Sequence, residues 1–171
     1  MAVVGVLLVG TLVALPAGGQ APTSPLAPIN EVRDREELPP IASSDALDAL
    51  AASYLSEMLV SRCLCPTLDG DRGAERLLAE VRPALDNDAV IVEAGLIAGY
   101  DTTAERAIRT TALDPANASA VAGQWMALAG IASAVVEAGT NWLAPPPGGI
   151  GPEIELGGYT VVVIVLAGSA N

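Results

Sequence analysis

The chain is 171 residues long, carries a formal net charge of -12, and contains neither histidine nor phenylalanine. So acidic a protein repels the phosphates of nucleic acids and of anionic membrane surfaces, and neither is an expected partner. The missing imidazole also excludes Ser–His and Cys–His nucleophilic catalysis, because the general base is absent. With only 3% aromatic residues, the core is predicted to consist of alanine, valine, leucine and isoleucine.

The N-terminus has the pattern of a secretory signal peptide. An apolar run from Ala2 to Leu15 is shorter than a comfortable membrane span, Pro16 ends it, and Ala21 completes a small-residue cleavage site. No arginine or lysine precedes the run, so a retained anchor or a misassigned start is the alternative. We predict a secreted or periplasmic protein without a membrane span in the mature chain. Its predicted divisions are a signal peptide at 1–21, a proline-rich linker at 22–28 and one domain at 29–171.

Helix signals dominate the stretch after the linker. Residues Ile29 to Leu38 predict one or two helical turns, which the proline pair at 39–40 ends. Ser43 or Ser44 is positioned to cap a longer amphipathic helix. The apolar residues of that helix recur at helical spacing and predict one buried stripe: Leu47, Leu50, Ala51, Tyr54, Leu55, Met58 and Leu59.

The middle of the chain predicts two shorter helices. One extends from about Ala74 to Val81 and ends ahead of Pro83. The other follows a capping box in which Thr102 is the cap and Glu105 comes three residues later, and it extends to about residue 111. The brief apolar run at 89–92, between them, is compatible with a helix or a strand.

Cys63 and Cys65 form a C-x-C motif at the start of a loop rich in proline, glycine and aspartate. Cysteines this close in sequence rarely reach the preferred disulfide geometry unaided. A local bridge, a bond to another chain and two thiols therefore all remain open. Two thiolates without histidine provide only half of a zinc site.

The last third of the chain predicts strands. Met126–Val136 and Gly158–Ala167 are apolar and partly β-branched, and the charge-free run YTVVVIVL is typical of a strand buried on both faces. Helices followed by paired strands indicate an α+β fold in which helices cover the sheet. Trp142, beside a proline- and glycine-rich segment between these strands, either packs in the core or lines a ligand groove.

The stretch INEVRDREELPPIASSDALDALAASYLSEM, at 29–58, resembles the start of a CAP domain, also called the SCP-like domain of secreted proteins. That family's first helix carries an asparagine and, three residues later, an arginine; a Leu-Pro turn and an amphipathic helix follow. The matching residues are Asn30, Arg33, Leu38, Pro39, Asp45, Leu47, Ala51 and Met58. Looser matches of order and spacing extend the resemblance to about Gly168. It implies a three-layer α-β-α sandwich with a mostly antiparallel sheet.

The resemblance also implies a cleft, which in this family carries two histidines and two glutamates that can hold a divalent metal. Asn117 stands in the place of one histidine, and Glu93 is the candidate for one acidic member. Asp69 and Asp71 lie in the loop after the long helix and are the further cleft candidates. Because the chain has no histidine, the family's metal site cannot be assembled in its usual form, and the metal ligands stay unknown. We expect no cofactor.

The sequence therefore predicts a non-enzymatic extracellular binding module whose ligand is a protein, a lipid or a small molecule. The alternative is a divalent-metal-assisted hydrolase with acidic ligands only. A paired-carboxylate hydrolase, with Glu93 and either Asp69 or Asp71 as the pair, also stays open. Calcium is a further hypothesis, because Asp69, Asp71, Glu75 and Glu80 fall at positions 1, 3, 7 and 12 of an EF-hand-like count. Position 6 of this count lacks the required glycine. The same four acidic residues are explained more simply as helix-capping or solvent-exposed side chains that bind no metal.

Overall fold

The computed structural model describes residues 24–65, 70–84, 91–143 and 152–169, so the predicted signal peptide lies outside the described residues. The helices are α1 (Ala27–Arg35), α2 (Asp45–Ser61), α3 (Gly70–Ala84), α4 (Ala104–Leu113) and α5 (Ala118–Val121), with a 3-10 turn at Pro115–Asn117. The strands are β1 (Ala42–Ser43), β2 (Ile91–Asp101), β3 (Met126–Val135), β4 (Asn141–Leu143), β5 (Glu153–Glu155) and β6 (Thr160–Ser169). Helix α1 thus begins two residues before the predicted domain boundary at residue 29.

Helix α1 ends in a Schellman turn that directs the chain into the proline pair. The Leu38 N–H donates to the Arg33 carbonyl across 2.9 Å, and Glu37 has the left-handed φ of 56° that this motif places after the cap. The Asn30 side chain then fixes the returning chain. Its amide donates to the Ile41 carbonyl at 3.0 Å and accepts from the Ile41 N–H at 2.8 Å. The predicted helical turns and their stop before the prolines are confirmed.

Ser44 is the cap of α2, because its hydroxyl accepts from the Leu47 N–H at 3.4 Å. The predicted apolar stripe is confirmed in its central part, and it is narrower than the spacing indicates. Its buried members are Leu47, Ala51, Tyr54, Leu55 and Met58. Leu50 is partly buried, and Leu59 is 37% exposed. The helix therefore presents a narrow face to the sheet, as expected for one layer of a sandwich.

The main sheet has four strands in the order β1-β3-β6-β2. Strand β6 is antiparallel to both β2 and β3, while the short β1 is parallel to β3. The register places Ile164 of β6 between Ile97 of β2 and Ile131 of β3. The predicted pairing of the two apolar segments in the last third is confirmed. Strands β4 and β5 form a separate antiparallel pair.

Successive side chains of β6 enter two different cores, because neighbouring residues of a strand point to opposite sides of the sheet. One core contains α2 and α3, and the other contains α1, α4 and α5; we call these sides the α2 face and the α4 face. The buried residues Val161, Val163 and Val165 belong to the α2 face, and Val162, Ile164 and Leu166 to the α4 face. The fold is therefore a three-layer α+β sandwich with a mostly antiparallel sheet, as predicted.

Helix α3 is longer than predicted, and its expected end ahead of Pro83 is wrong. It extends from Gly70 to Ala84 and contains that proline. The proline lies in the final turn, so the one intrahelical hydrogen bond that its missing N–H removes, to the Ala79 carbonyl, leaves the preceding turns intact. Leu77 and Val81 are buried and hold the preceding turns against the sheet. The ambiguous apolar run at 89–92 leads into a strand, because β2 begins at Ile91.

Thr103, and not Thr102, caps α4. The Thr103 hydroxyl accepts from the Arg106 N–H at 3.3 Å, whereas Thr102 donates to the Asp101 carboxylate through its backbone N–H and its hydroxyl. Glu105 consequently occupies the second helical position, and the predicted capping box does not form. The N–H of Thr102 is the main cause that lowers the pKa of Asp101 from its ordinary value.

Candidate functional site: a cleft at the edge of the sheet

Strand β2 is at one edge of the sheet, and its C-terminal half lines a cleft of about 310 Å³. This volume is at the lower end of the range for small-molecule sites. The other walls are the end of α4 with the 3-10 turn, and the residues that follow α2. The lining consists of Leu64, Ala98, Gly99, Tyr100, Thr110, Thr111, Asp114 and Asn117.

The wall at the end of α4 carries two polar side chains that are held by hydrogen bonds to backbone. Asp114 accepts from the Ala116 N–H at 2.9 Å. Asn117 donates from its Nδ2 to the Thr111 carbonyl at 2.9 Å. Each side chain is therefore fixed in orientation. Asn117 contributes an immobilised amide to the wall.

The opposite wall is Leu64, which is held between two bonded cysteines. Cys63 and Cys65 form a disulfide with their Cα atoms 5.0 Å apart, so the local bridge is the alternative that the fold adopts. The Leu64 N–H also donates to the Leu143 carbonyl at 2.9 Å. This side chain packs against the core of the α2 face. The wall is therefore fixed to the same layer as α2.

Thr111 and Gly99 form the floor of the cleft. Thr111 is only 4% exposed, and its hydroxyl has no hydrogen-bond partner among the described residues. A β-carbon at position 99 would overlap that hydroxyl, so β2 and α4 approach closely only because position 99 is glycine. The floor thus contains a buried polar group that the described residues leave unsatisfied.

Tyr100 and Asp114 give the mouth of the cleft its chemistry. The Tyr100 ring is 39% exposed and packs edge-to-face on Tyr159, with the ring centroids 5.8 Å apart. Among the described residues of the lining, Asp114 is the charged one. The cleft is therefore acidic at one wall, apolar at the other, and aromatic at its rim.

Of the predicted site residues, Asn117 lines the cleft and Glu93 does not. Glu93 lies on the same strand as Gly99, and the six-residue separation corresponds to about 20 Å along β2. Its carboxylate lies beside Gly123, where a β-carbon would come within 2.9 Å of Oε2. The Glu93 side chain therefore lies on the α4 side of β2, beside Gly123 and outside the described lining of the cleft.

The structure does not describe the side chains of the two remaining acidic candidates, Asp69 and Asp71. Asp69 lies outside the described residues, and Asp71 is placed only by its backbone, in α3. Within the described ranges there is no group of three or more histidine, cysteine, aspartate or glutamate side chains that could hold a metal ion. These residues offer no preassembled ligand set for a divalent cation.

The EF-hand-like interpretation is wrong, because the segment from residue 70 onward is helical. Glu75 and Glu80 lie on α3 and not in a loop. The Glu80 carboxylate accepts from the Tyr54 hydroxyl at 2.7 Å and from Arg76 Nε at 2.8 Å. Its function is to connect α2 and α3.

Trp142 packs in the core of the α2 face and is 2% exposed. Of the two predicted alternatives for Trp142, core packing rather than a ligand groove describes most of its surface. The residue also borders a second cavity of about 310 Å³, together with Leu59, Arg62 and Val135. Its indole N–H has no partner among the described residues.

Sequence reasoning missed most of the cleft. It identified Asn117 through the family resemblance but not Leu64, Thr111 or the β2 residues. One available signal is the pair Ala98-Gly99 inside an apolar strand, because glycine in a strand often marks a close approach of another backbone. No local pattern indicates that residues after α2 lie beside the end of α4.

No protein-family model matches the chain, and no curated protein is significantly similar to it in sequence. Among solved structures, an outer surface protein from Borrelia burgdorferi is similar, with a TM-score of 0.52 and 14% sequence identity. The superposition covers 83% of this chain and 87% of that chain. At this identity the similarity establishes a shared fold. In the described part of the chain, no helix is both long enough and apolar enough to cross a membrane.

Proposed function

We propose that the chain is a divergent CAP/SCP-like protein that acts outside the cell as a binding module without enzymatic activity. The cleft between the edge of β2 and the end of α4 is its binding site. The observation that carries this proposal is a pre-formed cleft of about 310 Å³ whose wall holds the side chains of Asp114 and Asn117 in fixed orientations. Concave sites with a few oriented polar groups are the usual binding sites of small ligands.

The residues that suggested the family have structural functions that fit the proposal. Asn30 fixes the chain after the Schellman turn, and Arg33 is fully buried and bonded to backbone carbonyls. Both residues connect α1 to distant segments of the α4 face. The contacts of Asn30 and Arg33 that hold α1 in place involve no histidine. They are therefore compatible with the loss of the family's histidines.

An extracellular location is supported by three features. The first is the predicted signal peptide at 1–21. The second is the Cys63–Cys65 disulfide, since disulfides persist in oxidising compartments. The third is the shared fold with a protein described as an outer surface protein.

Binding is favoured over hydrolysis because the described lining of the cleft holds no second carboxylate beside that of Asp114. Its charged residue is Asp114, and Glu93 is about 20 Å along the strand from Gly99. Paired-carboxylate mechanisms require two acidic groups within about 5–10 Å of each other. No contact among the described residues favours the metal-dependent hydrolase.

The proposal is tested by nuclear magnetic resonance of the isotopically labelled protein with a library of small soluble fragments. We expect shift changes at residues 98–100 and 110–117. Thr110→Trp, which places a large ring at the cleft wall, should abolish them. Ser53→Trp, at an exposed position of α2, is the matched control and should leave them unchanged.

The same protein is titrated with calcium and zinc by calorimetry and incubated with chromogenic esters and phosphoesters. We expect neither saturable heat nor turnover. Fragments that perturb only other surfaces, or turnover that depends on an added divalent cation, would overturn the proposal.

A further inference from the structure

We infer that the ligand of the cleft is an extended peptide with a basic side chain, which adds to the sheet as a strand beside β2. This inference rests on the proposed function of the cleft as a binding site. It names the ligand class from the backbone geometry and the charge of the walls.

Strand β2 has an edge that no described strand covers. Its described pairing partner is β6, which lies on the other side. In an antiparallel pair, alternate residues direct both backbone groups away from the partner strand. The cleft includes three consecutive β2 residues, Ala98, Gly99 and Tyr100. At least one of them therefore presents its N–H and its carbonyl to the open edge.

The cleft has walls on both faces of the sheet, as a slot for a strand requires. Leu64 packs with the core of the α2 face. Thr111 belongs to α4, and Asn117 follows it in the 3-10 turn, on the α4 face. Side chains of an added strand would point alternately to these two walls. An apolar side chain would contact Leu64, and a polar one would contact Asn117 or Asp114.

The small residues at this edge favour an approaching backbone. Ala98 and Gly99 have no side-chain atoms beyond Cβ. Strand edges that are not used are commonly blocked by lysine, proline or a bulge. The irregularity in β2 lies between Ile91 and Glu93, at the opposite end of the strand. The half of β2 that lines the cleft is therefore regular and itself carries no lysine, proline or bulge.

Charge selects a basic peptide. Asp114 is the charged lining residue, and one of its carboxylate oxygens accepts from the Ala116 N–H. Its second oxygen has no partner among the described residues. Asn117 and the threonines add neutral oxygen acceptors to the same wall. With a net charge of -12, the whole protein attracts cationic peptides and repels acidic ones.

The experiment uses dye-labelled, end-blocked hexapeptides of alternating valine and threonine, with one arginine placed at each position in turn. Binding to the purified protein is measured by fluorescence anisotropy. We expect at least one arginine peptide to bind, and its glutamate counterpart to bind at least tenfold more weakly. A counterpart that is N-methylated along one edge should also bind at least tenfold more weakly, because it loses the strand hydrogen bonds.

Two protein variants separate the site from general charge attraction. Asp114→Asn retains an oxygen for the Ala116 N–H but removes the charge, so the arginine peptide should bind about two- to fivefold more weakly. Asp34→Asn removes the same charge at an exposed position of α1 and should have no effect. Hydrogen exchange should show new protection within residues 98–100 when the arginine peptide is bound.

The inference is overturned if the N-methylated peptide binds as well as its parent, or if the two aspartate variants behave alike. It is also overturned if sedimentation shows that two copies of the protein pair through β2 in the absence of peptide. If fragments occupy the cleft but none of the peptides binds, the peptide inference fails and the proposed binding function remains. If neither fragments nor peptides bind there, both fail.

Discussion

The two faces of the sheet are covered in different ways. On the α2 face, two long helices of 17 and 15 residues pack an apolar core, and the polar contacts between them lie near the surface. On the α4 face, three helices of 9, 10 and 4 residues pack the apolar core. A short helix buries little apolar surface of its own and is marginal in isolation. The α4 face therefore needs an additional connection.

That connection is Arg33, a fully buried side chain with no acidic partner among the described residues. Its guanidinium donates to the carbonyls of Pro39, Val121, Gly123 and Met126 at 2.7 to 3.0 Å. These carbonyls belong to the turn after α1, the end of α5 and the start of β3. Burial lowers the pKa of Arg33 from its ordinary value, but an arginine remains charged at any physiological pH.

The comparison teaches that short helices can be fixed by one planar donor in addition to their apolar core. A guanidinium has five N–H groups in a rigid fork, so it can satisfy several carbonyls at once. On the α2 face, the apolar core is supplemented by a Tyr54–Glu80–Arg76 contact between the two helices. Removal of the polar groups should therefore affect the two faces unequally.

The largest expected effect is that of Arg33→Met. The substitution leaves four carbonyls without their donor, and each buried unsatisfied group costs about 1–3 kcal/mol. We expect a loss of about 4 kcal/mol or more in the free energy of unfolding, measured by urea denaturation. The matched control is Arg35→Met, at an exposed position of the same helix, with an expected change within about 0.5 kcal/mol. Similar losses for the two variants would refute the role of Arg33.

The next largest expected effect is the loss of stability when alanine replaces a glycine at a close contact, compared between the two faces. At Gly130, a β-carbon would overlap the backbone of Leu47 and Asp48 in α2, whereas at Gly99 it would overlap the Thr111 side chain. Backbone yields less than a side chain, so Gly130→Ala should cost about 3 kcal/mol and Gly99→Ala about 1–2 kcal/mol. Urea denaturation of both variants tests this order. A larger cost for Gly99→Ala would show that the α4 face is the more rigid one.

The contact between α2 and α3 predicts a pH dependence. Burial raises the pKa of Glu80, but the hydrogen bonds from Arg76 and Tyr54 outweigh it, and the net pKa is lowered. A carboxylate with a lowered folded-state pKa stabilises the protein above its unfolded-state pKa of about 4.3. This contribution is lost as the pH falls through the folded-state value.

Thermal melts of the wild type and Glu80→Gln should therefore differ most above about pH 5 and converge towards pH 3. Burial, followed by the hydrogen bond to Glu80, raises the pKa of Tyr54. Tyr54→Phe should cost about 1–2 kcal/mol at neutral pH. Glu75→Gln, at an exposed position of α3, is the control and should leave the profile unchanged. A gap between the wild type and Glu80→Gln that widens at low pH would contradict the assignment.

The smallest expected effect is a gain of stability. Glu37 has a φ of 56°, a conformation that costs most residues about 1 kcal/mol relative to glycine. Glu37→Gly should therefore stabilise the protein by up to about 1 kcal/mol in urea denaturation. Glu36→Gly is the matched control, because Glu36 has a φ of -94° and should lose stability with glycine. Equal changes in the two variants would show that the turn is not strained.

Local patterns could predict the elements but not all of their boundaries. The stripe of α2 and the β-branched run of β6 are long and strongly periodic, and both were correctly assigned from sequence. The end of α3 and the cap of α4 were not, because burial of Leu77 and Val81 overrides the proline at 83, and Asp101 engages Thr102. In the first case packing against the sheet decided the outcome, and in the second case a hydrogen bond between adjacent residues that the capping-box pattern does not include.

The candidate site was predictable only in part for the same reason. Asn117 could be named from the family resemblance, but Leu64, on the opposite wall, comes from a segment 53 residues earlier. The disulfide that holds Leu64 was one of three open alternatives. Glu93 lies outside the described lining of this cleft, because the extended strand carries it about 20 Å from Gly99.

By itself, the sequence determined the helical spacing of apolar residues in α2 and the acidic character of the protein. It also determined that the apolar last strand, β6, must be covered on both sides. These properties follow from side-chain chemistry and from spacings of a few residues, which the chain satisfies locally. Tertiary structure alone decided that Arg33 binds carbonyls 88 to 93 residues away and that the edge of β2 opens into a walled cleft. Such contacts depend on how the helices dock on the sheet. The geometry of their hydrogen bonds is set only when segments that are distant in sequence come together.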